Sequence, residues 1–167
     1  MQQFIYDEVL ILCMKSLVAY YSRTNITEKL AKSIASRTDS DIEEIIPHVN
    51  YQGKLGYARA GKHAIQEKII DIDALKYDPE DYDIVYLGAP VWASKAASPL
   101  ISYIKQNEGK FKNVKFFSTA GSGGFESTFE QMEKYTNVKP EATLALTTKE
   151  VKKDLFEDKM TDFINQE

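Results

Sequence analysis

Tyr20-Tyr21-Ser22-Arg23-Thr24-Asn25-Ile26-Thr27 follows directly on the apolar run Leu17-Val18-Ala19, and the reading of this junction decides the fold. The apolar run is that of a buried strand. A hydroxyl-rich turn comes next, and then Leu30, Ala31, Ile34 and Ala35 recur on one face of a helix. Such a junction puts free backbone N–H groups and the positive end of a helix dipole at the edge of a sheet, where a phosphate group binds well.

Outward from this junction, strands and helices alternate. The pattern predicts strands over 16–21, 41–46, 82–88, 114–118 and 141–146, and helices over 25–37, 57–68, 99–107, 125–135 and 151–164. The strands are short and nearly continuous in apolar character, as in a parallel sheet covered on both faces. The expected fold is α/β: a doubly wound five-stranded parallel sheet, order 2-1-3-4-5, with helices on both faces. Residues 15–167 read as a single domain and 1–14 as an N-terminal extension. In that extension Val9-Leu10-Ile11-Leu12 is preceded by Asp7 and Glu8, the opposite of the charge a secretory signal wants. Two readings stand for residues 1–13: an upstream segment that is not native, or an arm that packs on the domain.

Composition narrows the chemistry. The chain has 167 residues with 21 basic and 25 acidic side chains, a net charge of -4, which argues against nucleic acid. No stretch approaches the ~20 apolar residues of a membrane span. The single cysteine, Cys13, excludes an internal disulfide framework and a cysteine-based zinc site, and fits a reducing cytoplasm. His48 and His63 have no ligand-like neighbours at metal spacing and read as surface residues, so no metal is expected.

In an open α/β sheet the ligand sits beyond the carboxyl ends of the strands where the winding reverses, here between strands 1 and 3. Three loops reach that crevice. The first supplies Ser22, Arg23, Thr24, Asn25, Ile26 and Thr27. It has neither the lysine and glycines of a nucleoside-triphosphate loop nor G-x-G-x-x-G, which leaves a single phosphate monoester. A plain helix cap by Thr24 or Thr27 is the alternative. The second, Pro90-Val91-Trp92-Ala93, sets the sole tryptophan just past a strand end, where it can stack on a flat ligand or fill the core. The third, Thr119-Ala120-Gly121-Ser122-Gly123-Gly124-Phe125, allows close backbone approach and offers Phe125 as an aromatic wall or an inward-packing residue.

A phosphate cradle, an aromatic wall and a glycine-rich wall suit a planar heterocycle with a phosphorylated tail. At this point the chain resembles the flavodoxin family. Ser22-Arg23-Thr24-Asn25-Ile26-Thr27 is similar to that family's phosphate motif, [ST]-x-T-G-N-T. Pro90-Val91-Trp92 and Thr119–Phe125 resemble its two flavin-contacting loops. Asn25 stands in place of the glycine, and Ile26 in place of the asparagine. The resemblance implies flavin mononucleotide (FMN) as cofactor, with the isoalloxazine carrying the redox chemistry. It implies a cytoplasmic electron carrier with no catalytic residue, and the acidic total charge adds basic docking surfaces on its redox partner proteins. The alternative is an FMN-dependent NAD(P)H:quinone or related oxidoreductase, with Tyr51, Tyr57, Arg59, Lys62 and His63 bordering a nicotinamide pocket. A flavin-free interaction module is a third reading. Related folds fail on chemistry. A receiver domain needs carboxylates where Tyr20-Tyr21-Ser22 stands, and a cysteine-dependent phosphatase needs a thiolate in the first loop.

Overall fold

A computed structural model describes residues 14–166. Cys13 and the rest of the N-terminal segment lie outside the described residues. In chain order the elements are β1 (Ser16–Tyr20), α1 (Ile26–Thr38), β2 (Asp41–Glu44), α2 (Gly53–Ile65), β3 (Ile84–Trp92), β4 (Lys95–Ala96), α3 (Ser98–Gln106), β5 (Val114–Ala120), α4 (Phe125–Thr136), β6 (Thr143–Thr147), α5 (Thr148–Lys152) and α6 (Glu157–Asn165).

The long strands run parallel in the order β2-β1-β3-β5-β6, and β4 pairs antiparallel with the end of β3. The five-strand topology expected from the alternation is therefore present, with one correction: a sixth, two-residue strand. Nothing in so short a segment carries a periodic signal.

Side chains alternate across the sheet as the pleat requires. Leu17, Ala19, Val85, Leu87 and Phe116 face one core with Leu100, Ile104 and Met132 from α3 and α4. Val18, Tyr20, Ile84, Tyr86 and Phe117 face the other with Leu30, Ile34, Met160 and Phe163 from α1 and α6. Gly88 shows how tightly the second core is filled. It pairs with Phe117 across the sheet, and a Cβ at Gly88 would stand 2.0 Å from Phe117 Cε2.

Two boundaries moved for physical reasons. The expected closing helix over 151–164 is two helices. A capping box, with Thr147 Oγ1 accepting from Glu150 N and Glu150 accepting from Thr147 N, starts α5 at Thr148. The left-handed Asp154 (φ 55°) then ends it. The expected strand over 82–88 runs on through Trp92, because its ladder with β5 continues to Pro90↔Thr119. Proline suits a strand end here: it lacks an N–H, and its carbonyl accepts from Ala97 N at 3.1 Å.

Candidate ligand site at the carboxyl edge of the sheet

The first loop is built as a cradle. Tyr21 N continues the β1–β3 ladder by donating to Gly88 O at 3.0 Å. The chain then turns through Asn25, which adopts the left-handed conformation (φ 66°, ψ 2°) and caps α1 with no side-chain hydrogen bond. Asparagine is the non-glycine residue best suited to that conformation. The backbone turn survives the exchange of glycine for asparagine, and the first N–H groups of α1 are not taken by a side-chain cap. Ile26 packs half-buried against the core on the α1 side, which accounts for an apolar residue at this position.

Three hydroxyls gather around this turn. Ser22 Oγ is shielded from solvent and has no hydrogen-bond partner among the described residues. Thr27, 1 % exposed, and Thr119, 2 % exposed, share a hydrogen bond of 2.8 Å between their hydroxyl oxygens. That pair holds two protons and spends one between its members, so one is left for a further acceptor. Thr24 and Asn25 are exposed at the tip of the turn.

Arg23 turns away from the cradle. Its Nε donates to Tyr51 O at 2.9 Å and its Nη2 to Gly53 O at 3.4 Å, and its guanidinium lies 5.3 Å from the centre of the Tyr57 ring. Gln52 Nε2 donates back to Arg23 O at 3.2 Å. The first loop is thereby tied to the start of α2, and an anion in the cradle meets neutral donors and a helix dipole.

The second loop is a hairpin. Trp92 pairs with Lys95 across Ala93 and Ser94, which both have positive φ (49° and 61°) with no glycine or asparagine to ease it. Ser127 Oγ donates to Ser94 O at 2.7 Å and holds the turn against α4. The third loop lies beside it. Gly124 (φ 87°) caps α4, and a Cβ there would stand 3.0 Å from Val91 Cγ1 and 3.1 Å from Ser94 Cα. Gly121 and Gly123 have no atoms within 4 Å of where a Cβ would sit. A cavity of about 470 Å³ opens at this point, lined by Gly124, Phe125, Glu126, Ser127 and Glu130. Phe125 is half-buried at its edge. Pro90, Val91, Ala93, Thr119, Ala120 and the glycines thus converge with Ser22 and Thr27 on one edge of the sheet.

Trp92 is placed differently from its neighbours. It is 9 % exposed and meets Tyr21 at 5.4 Å and Tyr51 at 4.9 Å between ring centroids, both edge-on, within the core on the α2 side.

His63 corrects the expectation of a surface residue. It is 8 % exposed, on the inner face of α2 with Gly56, Ala60 and Ala64. Its Nδ1 shares a 2.8 Å hydrogen bond with the Tyr51 hydroxyl, which satisfies it inside the protein. Burial lowers the imidazole's pKa, and the nearby charges of Lys68, Arg59 and Lys62 lower it further. Burial pushes the Tyr51 phenol up to about 12, against a smaller opposing effect of Arg59. Residue counting cannot find such a histidine; the signal is Tyr51, twelve residues earlier in the chain. His48, by contrast, is exposed beside Asp73 at 2.8 Å. Among the described residues no cluster of histidine, cysteine or carboxylate side chains could hold a metal ion. No described helix is long and apolar enough to cross a membrane.

A second cavity of about 250 Å³ adjoins Ser22 and is lined by Tyr21, Ile45, Pro47, Asn50 and Tyr51 among others. It lies between the ends of β1 and β2.

Comparison with known proteins agrees with this architecture. The family model described as flavodoxin matches residues 15–167. No curated protein matches the chain. Among solved structures, a flavoprotein from Lactobacillus acidophilus NCFM in complex with FMN is 22 % identical, with a TM-score of 0.70 over 84 % of this chain and 98 % of that one. A protein from Bacteroides uniformis ATCC 8492 is 23 % identical, with a TM-score of 0.73 over 86 % and 99 %. An NADH:FMN oxidoreductase in its apo form is 14 % identical, with a TM-score of 0.53 over 91 % and 86 %. At these identities the likeness is one of fold.

Proposed function

The chain belongs to the flavodoxin family, and from that premise we propose that it binds FMN at the carboxyl edge of its sheet and carries electrons between redox proteins. The observation that carries this reading is Ser22 Oγ, a buried hydroxyl with no partner, set beside a helix start free of any side-chain cap. A buried hydroxyl without a hydrogen bond costs about 1–3 kcal/mol. A phosphate oxygen removes that cost and adds a charge-assisted bond.

The residues divide the task. Ser22 and the first N–H groups of α1 hold the phosphate, and the Thr27–Thr119 pair offers its spare proton. Gly121, Gly123 and Gly124 let the backbone approach a flat ring without side-chain bulk. The 90–93 hairpin closes the other side, with Phe125 at the rim. When bound, FMN supplies the redox chemistry. The protein orients it, limits its contact with water and sets which edge a partner can reach.

A second reading is an FMN-dependent NAD(P)H oxidoreductase. The cavity beside Ser22 favours it, since a reductase needs room for a second ligand near the first loop. Steady-state oxidation of NADH and NADPH by the FMN-loaded protein, with a quinone acceptor, separates the two. A carrier gives no turnover above that of free FMN. Saturable turnover makes the protein a reductase.

A further inference from the structure

Helix α2 and its flanks carry a charge opposite to that of the molecule. From Gln52 to Lys68 the chain places Lys54, Arg59, Lys62 and Lys68 against one carboxylate, Glu67, in a protein of net charge -4. Glu67 is itself occupied: Gln131 Nε2 donates to it at 2.9 Å, and Lys95 Nζ lies 3.6 Å away. Lys54, Lys62 and Lys68 make no ion pair among the described residues, and Arg59 gives its Nη1 to the carbonyl of Asn50 at 2.7 Å.

The same helix exposes large apolar side chains. Leu55 is 82 % exposed, Tyr57 68 % and Ile65 69 %. A single exposed apolar residue needs no explanation. Three lie on one thirteen-residue helix, interleaved with cations that have no ion-pair partner among the described residues. Gly56, Ala60, His63 and Ala64 take the inner face, so the charged and large apolar residues are all turned outward. This face is continuous with the first loop, because Arg23 holds the carbonyls of Tyr51 and Gly53 and lies over Tyr57. Arg23 has no carboxylate partner among the described residues and adds a further cation to the α2 side.

We propose that the outward face of α2 is the docking surface for an acidic redox partner, a protein that presents carboxylates around an apolar patch. The proposal rests on the electron-carrier reading. Total charge alone points to basic partners. Exposed charges are screened beyond about 10 Å at 0.1 M salt, so the local field of the face governs docking. The cations steer the encounter, and Leu55, Tyr57 and Ile65 hold the complex once water is expelled.

The test uses two one-electron oxidants of opposite charge: plastocyanin, a copper protein with an acidic patch, and cytochrome c, which is basic. The reduced, FMN-loaded protein is mixed with each in a stopped-flow instrument at rising ionic strength. Each oxidant molecule takes one electron. The plastocyanin rate should fall on the order of tenfold or more from low to high salt, as steered encounters do. The Lys54→Glu, Lys62→Glu double variant should lose that low-salt advantage while keeping its flavin spectrum. Leu55→Ser should slow the reaction without changing its salt dependence. A plastocyanin rate insensitive to salt and to charge reversal overturns the proposal, as does a preference for cytochrome c that the double variant leaves unchanged. Backbone amide shifts on adding reduced plastocyanin to the flavin-free protein give a second readout. Shifts along α2 in a chain that takes up no FMN support the surface and remove the carrier reading. A chain that binds FMN but shows no α2 shifts keeps the carrier reading and overturns the surface.

Discussion

Thr27 and Thr119 stand 92 residues apart in the chain, and their hydroxyl oxygens meet at 2.8 Å in the buried interior of the site. One belongs to the first turn of α1 and the other to the end of strand β5, so this bond ties the first loop to the start of the glycine-rich loop.

Replacing Thr27 by valine removes the pair's hydrogen bond and its spare proton at nearly constant volume. FMN affinity should fall by about 1–3 kcal/mol if a charge-assisted bond to phosphate is lost. Thr119→Val should weaken binding as well, and the double variant should cost less than the sum, because the two hydroxyls act as a unit. Flavin-fluorescence titration reads all three. A Thr27→Val protein that melts earlier but keeps its FMN affinity reduces the pair to a structural tie.

Gly88→Ala should destabilise the fold directly. The new Cβ would stand 2.0 Å from Phe117 Cε2, far inside contact distance, in a core with no slack. Overpacking of this kind costs about 1–3 kcal/mol. Phe117→Leu in the Gly88→Ala background should restore part of it. Urea unfolding measures both, and a single variant as stable as the parent would show that the aromatic ring has room to move.

Trp92→Ala should lower stability by roughly 3–5 kcal/mol, the range for emptying a large aromatic site, since the ring packs on Tyr21 and Tyr51 in the core. Unfolding followed by circular dichroism tests this. A variant with unchanged stability and weakened FMN binding would instead assign the ring to the cofactor.

The topology was readable in the sequence because each parallel strand is a short apolar run beside a helix with one apolar face. Asn25 and Gly124 were readable because a left-handed turn demands particular residue types. Three features were not. The β4 hairpin turns through Ala93 and Ser94, residues that carry no turn signal. His63 is buried only because Tyr51 returns to meet it. Arg23 sits inside the phosphate motif but spends its donors on Tyr51 and Gly53. Each depends on a contact made by folding, which local pattern does not encode.

Glu150 should make stability depend on acid. Its carboxylate accepts from Lys159 Nζ at 2.7 Å and from Thr147 N at 2.7 Å. Lys159, then the Thr147 backbone and hydroxyl, hold its pKa down to about 2 from 4.5. The folded-state value is depressed, so its stabilisation is full above 4.5 and lost as pH falls toward 2. Glu150→Gln should therefore lower the melting temperature at pH 6 and converge with the parent as pH drops through that window. A gap that stays constant to pH 2 would show that the charge contributes nothing.

The central claim is that a phosphate is held by the 22–27 cradle, and the most direct measurement is a side-by-side titration of the flavin-free protein with FMN and with riboflavin. The two ligands share the ring and differ in the phosphate alone. With two or more charge-assisted hydrogen bonds to the phosphate, FMN should bind on the order of 100-fold more tightly than riboflavin, and Ser22→Ala should narrow that gap. Equal affinities for the two flavins, or a gap that Ser22→Ala leaves untouched, would contradict the account.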